Sequence, residues 1–232
     1  MVYLIITRPN ITYVIHVVSQ FVTSPTIVHW ATTICILRYF QSTVFQSFLF
    51  PSTFFLELRD YSDVDHDSNL TNRKSVTGFY VFLSDSLISW KSKKQSIVSQ
   101  SSTEAEYRVM ISTTKKIVWL RWLLADMRVS LSHLTLMYCD NQSSIQIGHN
   151  LFFHEWTKHI KIDCHLIRRH FKHGTITSPS VPSSLQIADF FTKSHFFSCF
   201  CFLVGKPSML IAAALWVWGD ILRDIRLFCF IV

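Results

Sequence analysis

Four acidic residues stand where carboxylates can act together. Asp63 follows a predicted strand, Glu106 lies in the second turn of a predicted long helix, Asp140 ends a later strand, and Asp189 lies in the last predicted helix. In an open α/β sheet, functional sites form outside the carboxyl ends of the strands. Asp63 and Asp140 therefore converge if their two strands are neighbours in the sheet.

Convergent carboxylates need a cation between them, because like charges repel one another when they are packed together. Their oxygen atoms suit hard ions such as Mg²⁺ or Mn²⁺. Two such ions about 4 Å apart can clamp the attacking and leaving oxygens of a phosphodiester. One interpretation of the four acids is therefore a metal site that hydrolyses nucleic acid.

Two other features that involve acidic residues have explanations that need no catalytic metal. The segment that begins at Asp63 superficially resembles a calcium loop, but Ser68 stands where that loop needs Gly and Lys74 where it needs Glu. Glu104 follows Ser101 at the spacing of a capping box, so we expect it to cap the long helix rather than bind metal.

For the remaining acids, the sequence leaves open whether each is a metal ligand or has a structural role. Glu106 has no capping duty and is therefore the better ligand candidate. Asp140 fits a cap of the following short helix as well as it fits a metal ligand. Asp189, taken alone, fits a solvated helix position. Spacing by itself does not choose between these interpretations.

The surrounding patterns predict a mixed α/β domain. Three short strands with tight links, at residues 54–62, 79–83 and 87–91, are typical of an antiparallel meander. Apolar residues at three- and four-residue steps from Tyr107 to Met127 predict one apolar face of a long helix. The remaining segments are predicted as strand 134–139, helices 141–148 and 160–173, strand 175–181, and a last helix that Ser184 caps. This order implies a mixed sheet with helices on its faces.

The composition excludes several protein classes. Of 232 residues, 49% are hydrophobic and only 16% charged, which excludes disorder as the main state. Five Gly and six Pro are too few for a collagen or a low-complexity linker. The net charge of +7 suggests an anionic partner, either nucleic acid or a membrane surface.

A membrane anchor and a disulfide framework are both unexpected. Six cysteines without a CxxC pair indicate a reduced, intracellular protein. No basic segment of a signal peptide precedes the first apolar stretch, and Arg8-Pro9 interrupts it. The apolar run from Met209 to Trp218 has about ten residues, whereas a membrane span needs about twenty.

Seven short motifs occur in order along the middle of the chain. They are YSDVD at 61–65, TGF at 77–79, ISWKSKKQ at 88–95, SSTEAEY at 101–107, CDNQS at 139–143, TKHI at 157–160 and ADFFTK at 188–193. Together they resemble the ribonuclease H domain of Ty1/copia-type retrotransposon polyproteins. Upstream, TRPNI at 7–11 and VSQF at 18–21 are similar to the segment that ends the reverse transcriptase of the same polyproteins.

The resemblance implies a fold and a division into domains. The fold is ribonuclease H-like α/β, a mixed five-stranded sheet with helices on both faces. Residues 54–195 would form this domain. Residues 1–50 would be a remnant of the reverse-transcriptase C-terminal region, and residues 196–232 an apolar tail.

The resemblance also implies a reaction. The family's catalytic, metal-binding acids fall on Asp63, Glu106, Asp140 and Asp189, which would hold two Mg²⁺ ions, with Mn²⁺ as the alternative. The implied activity is endonucleolytic hydrolysis of the RNA strand of an RNA–DNA hybrid, recognised by shape and 2′-hydroxyls. It implies no membrane partner and no small-molecule cofactor. The expected location is intracellular, in a cytoplasmic virus-like particle or the nucleus.

A run of basic residues supplies the predicted nucleic-acid contacts. We expect the hybrid to be bound by Lys91, Lys93 and Lys94, with Trp90 beside them. A solvated strand end explains the same charge run equally well.

Departures from the family pattern support a rival function. His66 stands where the family has Trp, and Asp67 and Ser68 where it has small residues and Gly. None of these changes removes a metal ligand. The polymerase aspartates would lie upstream of Met1, so we expect no polymerase activity. The alternative is a decayed, non-catalytic retrotransposon relic with residual nucleic-acid binding.

Overall fold

Two units make up the chain in a computed structural model, residues 1–50 with 193–232, and residues 51–192. The structure describes residues 5–6, 8–44, 47–48, 56–65, 74–149, 161–193 and 209–210. The departures at 66–68, the motif at 157–160 and most of the tail at 196–232 lie outside these described residues. The domain limits at 54 and 195 stay a prediction.

The first unit is helical in its N-terminal part. A 3-10 turn at Pro9–Ile11 leads into helix α1 (Thr12–Ser19), and helix α2 (Ile27–Ser42) follows. Ile15 of α1 and Ile36 of α2 are central members of a small apolar cluster. In the same unit, Ser47–Phe48 pairs antiparallel with Met209–Leu210.

The second unit is built on a mixed five-stranded sheet. Its strands are β1 (Leu58–Asp65), β2 (Val76–Leu83), β3 (Ser86–Lys94), β4 (Thr135–Tyr138) and β5 (Ile176–Thr177), in the spatial order β3-β2-β1-β4-β5. The first three strands form an antiparallel meander. β4 then joins β1, and β5 joins β4, both in parallel. The predicted meander and the predicted mixed sheet are confirmed.

Three helices cover one side of this sheet and its edge. They are α3 (Ser102–Asp126), α4 (Gln142–His149) and α5 (Lys161–Lys172). The side chain of Ser101 accepts a hydrogen bond from the amide of Glu104 and so begins α3, as the sequence predicts. Phe79 and Val81 pack against Leu120 of α3. A second cluster joins α3, α5, β4 and β5 around Met137.

The opposite side of the sheet carries a short 3-10 helix, Ile187–Phe191. The ring of Phe191 stacks on Tyr80 with centroids 4.4 Å apart. Because successive strand residues point to opposite faces, Tyr80 faces away from the side on which Phe79 meets α3. Helices therefore lie on both faces, as predicted.

Two predictions about helices are wrong. The last element is not one helix capped by Ser184 but two 3-10 turns, with Gln186 as the N-cap of the second. Met127 does not belong to the buried face of α3, since it is 64% exposed. The reason is length, because 25 helical residues span about 37 Å whereas an eight-residue strand spans about 26 Å.

The described part of the chain contains an acid in an apolar setting. Asp60, in the middle of β1, is fully buried beside Val81 and Met137, and neither carboxylate oxygen has a hydrogen-bond partner among the described residues. Burial raises the pKa of Asp60 well above its usual value.

No helix among the described residues is long and apolar enough to cross a membrane.

We expect Gly78→Ala to destabilise the second unit. A Cβ at Gly78 would lie 2.6 Å from the Cβ of Phe191, so the 3-10 helix must move away from the sheet. Such overpacking costs about 1–3 kcal/mol, measurable by urea unfolding. Gly174→Asn is the control, because Gly174 has a φ of +63° with nothing within 4 Å of an added Cβ, and Asn tolerates this conformation. Equal stability of Gly78→Ala and wild type would contradict the predicted clash.

We expect Asp60→Asn to flatten the dependence of stability on pH. The folded-state pKa of Asp60 is raised, so its stabilising contribution is complete at low pH and is lost as pH rises above about 4. Over that rise the wild type should lose about 1.4 kcal/mol per pH unit relative to the variant, until the folded-state pKa is passed. Urea unfolding between pH 4 and 7 measures this, with the exposed Asp126→Asn as control. Parallel curves for wild type and Asp60→Asn would show that Asp60 is not buried in this way.

Candidate active site

Three of the four predicted acids meet at one edge of the sheet. One carboxylate oxygen from each of Asp63, Asp140 and Asp189 lies within 4.8 Å of the others. Asp63 and Asp189 are buried, and Asp140 is half-buried. The site therefore has a closed side formed by two acids and a more open side at Asp140.

The parallel pairing of β1 with β4 explains this meeting. Tyr61 of β1 is the register partner of Tyr138 of β4, and their rings stack 4.7 Å apart. Asp63 and Asp140 each lie two residues beyond this pair. Parallel strands end at the same edge of a sheet, so the two acids leave neighbouring strands side by side.

Gln186 brings the third acid to the same edge. Its side chain is fully buried, and its amide group donates to the carbonyls of Ser62 at 3.0 Å and Tyr138 at 3.5 Å. Its side-chain oxygen accepts from the amide of Ala188 at 3.3 Å. One side chain thus joins β1, β4 and the start of the 3-10 helix that carries Asp189.

Glu106 approaches the site from α3 on the other face of the sheet. Oxygens of Glu106 and Asp140 and the sulfur of Cys139 lie within 4.8 Å of one another. Glu106 is therefore grouped with Asp140 but not with Asp63 and Asp189 at that distance. Asp140 is the member that the two groups share.

The carboxylate of Glu104 is engaged at the start of α3. The carboxylate of Glu104 accepts from the amide of Gln100 at 2.8 Å and forms an ion pair with Arg108 at 2.8 Å. Glu104 is thus occupied at the helix start, as predicted, and it belongs to neither acidic group among the described residues.

Asp140 is not the cap of the short helix that follows it. The amide of Ser144 donates instead to the side-chain oxygen of Asn141 at 3.0 Å. Asp140 accepts a hydrogen bond from the hydroxyl of Ser183 at 2.9 Å. The capping alternative for Asp140 is therefore wrong, and its carboxylate lies at the acidic site.

The negative charge of the site affects the pKa of a neighbouring thiol, Cys139. Burial raises the pKa of Cys139, and the charges of Glu106, Asp140 and Asp63 raise it further. Buried carboxylates that converge in this way are stable as anions only with a positive charge among them. The carboxylate oxygens of both groups fit Mg²⁺ or Mn²⁺, whereas the sulfur of Cys139 is a poor ligand for these hard ions.

Two positioning residues were not predicted from the sequence. Thr192 is buried and donates its hydroxyl hydrogen bond to Oδ2 of Asp63. Gln186 joins the two parallel strands as described above. Both lie three residues from Asp189, and Thr192 belongs to the ADFFTK motif, but neither signal reveals that these residues reach across to β1.

The predicted nucleic-acid residues divide between the two faces of β3, an edge strand. Lys91 pairs with Phe79, so it lies on the side of α3, and Lys93 shares that side. Trp90 pairs with Tyr80, so Trp90 and Lys94 lie on the side of the 3-10 helix. Lys91 and Lys93 are exposed, whereas Trp90 and Lys94 are half-buried.

Comparisons with known proteins find Pol polyproteins of plant transposons among the relatives of this chain. The chain is 37% identical over 191 residues to the retrovirus-related Pol polyprotein from transposon RE2 of Arabidopsis thaliana, a match that covers 82% of this chain. It is 34% identical over 190 residues to the corresponding polyprotein from transposon TNT 1-94 of Nicotiana tabacum, again over 82% of this chain. These matches span only 13% and 14% of the length of the two relatives.

A solved structure and the family models complete the comparison. The chain is similar to LC11-RNase H1, isolated from compost, with a TM-score of 0.46 and 13% identity, covering 59% of this chain and 93% of that one. No protein-family model matches the chain.

We expect Mn²⁺ or Mg²⁺ to stabilise the full chain against thermal unfolding. A ligand at 100 times its dissociation constant adds about 2.7 kcal/mol to the free energy of unfolding. Asp140→Asn should reduce this gain sharply, because Asp140 is shared by both acidic groups. The exposed Asp126→Asn should keep it. A metal-dependent gain of the same size in Asp140→Asn and wild type would contradict the site.

Proposed function

Because the chain belongs to the retrovirus-related Pol polyproteins of copia-type transposons, we propose that it hydrolyses the RNA strand of RNA–DNA hybrids. In this proposal residues 54–195 are the ribonuclease H part of such a polyprotein. The observation that carries the proposal is the sharing of Asp140 between two acidic groups. Two groups with one common carboxylate fit a pair of adjacent divalent ions.

The proposed ligands are the four predicted acids. Asp63, Asp140 and Asp189 would hold one side of the metal pair, and Glu106 with Asp140 the other. When bound, the ions would supply positive charge to the attacking and leaving oxygens of the phosphodiester. Mg²⁺ is the proposed ion, and Mn²⁺ fits the same oxygen ligands.

The protein's own contribution is to fix the carboxylates before substrate arrives. Thr192 holds one oxygen of Asp63 in place, and Gln186 fixes the two strand ends and the 3-10 helix together. Burial of Asp63, Glu106 and Asp189 excludes water on the closed side. The half-buried Asp140 leaves the open side for the substrate. Preorganised charge of this kind needs no rearrangement during reaction.

The proposed substrate contacts lie along the edge strand. Exposed Lys91 and Lys93 would neutralise backbone phosphates of the hybrid from the side of α3. Lys94 and Trp90 would approach from the other side of β3. The proposal includes no membrane partner and no small-molecule cofactor. The site of action that fits a retrotransposon is a cytoplasmic virus-like particle or the nucleus.

We expect the full chain to cleave the RNA strand of a labelled RNA–DNA hybrid when Mg²⁺ or Mn²⁺ is present. Asp140→Asn should abolish cleavage, because it removes the carboxylate common to both acidic groups. It should leave hybrid binding unchanged or slightly tighter, since a negative charge beside the phosphate is lost. Asp126→Asn, far along α3, is the control and should cleave normally.

One result would reject the proposed site, and another would reject the proposed reaction. Cleavage by Asp140→Asn at the wild-type rate would reject the assignment of the site. A folded wild-type chain that binds the hybrid but does not cleave it with either ion would identify the decayed, non-catalytic relic.

A further inference from the structure

A lysine and a tryptophan on α3 lie beside the edge strand and extend its basic surface. Lys91 of β3 faces the side of α3, because it pairs with Phe79, which belongs to the same apolar cluster as Leu120 of α3. Lys116 lies one helical turn before Leu120, and therefore on the same side of the helix. The two lysines come from different elements but share one surface.

The two ammonium groups also interact electrostatically. The pKa of Lys116 is lowered, first by partial burial and then by the positive charge of Lys91. No ion pair joins Lys91 or Lys116 to an acid among the described residues. Among the described residues, therefore, no ion pair offsets the positive charge of these two lysines.

Trp119 fixes the position of Lys116. The ammonium nitrogen of Lys116 lies 4.2 Å from the centroid of the Trp119 ring, within the range of a cation–π interaction. The ring itself is 48% exposed. A large aromatic ring that supports a cation at the surface offers both charge and an apolar face to a ligand.

Protection of a sheet edge does not explain the arrangement. Lysines on an edge strand prevent pairing with other strands, and this would account for Lys91 and Lys93 alone. Lys116 and Trp119 lie on a helix and protect no edge. Their convergence with Lys91 needs a different explanation.

We propose that Lys91, Lys116 and Trp119 form a phosphate-backbone site for nucleic acid, separate from the acidic site. Its ligand is the sugar–phosphate backbone of the hybrid, with two phosphates neutralised by the two lysines. This inference rests on the proposed function in taking the hybrid as substrate. It adds two residues of α3 to the interface that the charge run of β3 predicts.

The position of the site sets which part of the hybrid it holds. Lys116 is ten residues after Glu106 on α3, which places it about 15 Å along the helix axis from that acid. The axial rise per nucleotide is about 3.4 Å in B-form DNA and smaller in an A-like hybrid, so a strand parallel to α3 covers this distance in about five nucleotides. The site would therefore hold the backbone beyond the cleaved bond rather than the reacting phosphate.

The test is the salt dependence of hybrid binding by the full chain, measured in EDTA so that no cleavage occurs. The probe is an RNA–DNA hybrid of about 20 base pairs, long enough to reach beyond the 15 Å separation. Each neutralised phosphate contributes about −0.9 to the slope of log K against log salt. Lys91→Gln with Lys116→Gln should reduce the slope by about 1.8, so that between about 50 and 200 mM salt the wild type loses about tenfold more affinity than the double variant.

A matched double variant controls for net charge. Arg169→Gln with Lys172→Gln removes two exposed cations from α5 and should keep a slope close to that of the wild type. Trp119→Leu should weaken binding, whereas Trp119→Phe should retain most of it, because an aromatic ring still supports Lys116. Thermal unfolding of each variant confirms that it is folded.

The outcomes separate this inference from the proposed function. An unchanged slope in the Lys91 and Lys116 double variant would overturn the site and leave this face to a protein partner, whether or not the chain cleaves the hybrid. A reduced slope in a chain that never cleaves would support the site and reject the proposed reaction. If the α5 control reduced the salt slope as much as the Lys91 and Lys116 double variant, the effect would come from net charge, and the proposed site would be rejected.

Discussion

The parallel pairing of β1 with β4 is the constraint on which the acidic site depends. Asp63 and Asp140 are 77 positions apart in the chain, yet the register Tyr61 to Tyr138 sets them side by side. A shift of one residue in this register would turn one acid toward the opposite face of the sheet. The buried amide of Gln186 bonds to carbonyls of both strands and so supports the register at the edge where it matters.

Repulsion between carboxylates is the energetic cost of this geometry. Two neutral hydrogen-bond donors contact the acids, the hydroxyl of Thr192 at Asp63 and the hydroxyl of Ser183 at Asp140. Hydroxyl donors fix the oxygens and leave the negative charge for a divalent cation.

The two faces of the sheet carry different elements and contribute different residues to the site. On one face α3 supplies the core, Glu106 and the basic surface around Lys116. On the other face a short 3-10 helix reaches the sheet only because Gly78 has no side chain where Phe191 approaches. That close approach carries Asp189 to the edge. Asp60 lies on the face of the sheet that α3 covers. It is buried without hydrogen bonds to any described residue, and it belongs neither to the apolar clusters nor to the acidic site.

The sequence by itself determined most of the strands and helices that precede residue 182. Local signals were sufficient there, namely the capping box at Ser101, alternating strands and helical spacing in α3. It did not determine the structure after residue 182, because a buried cap such as Gln186 depends on carbonyls of distant strands. Spacing alone also left Asp140 open between a cap and the acidic cluster, which the bond from Ser144 to Asn141 decided. Tertiary structure alone placed Thr192 on Asp63 and Lys116 beside Lys91, since contacts between residues far apart in the chain leave no periodic signal in it.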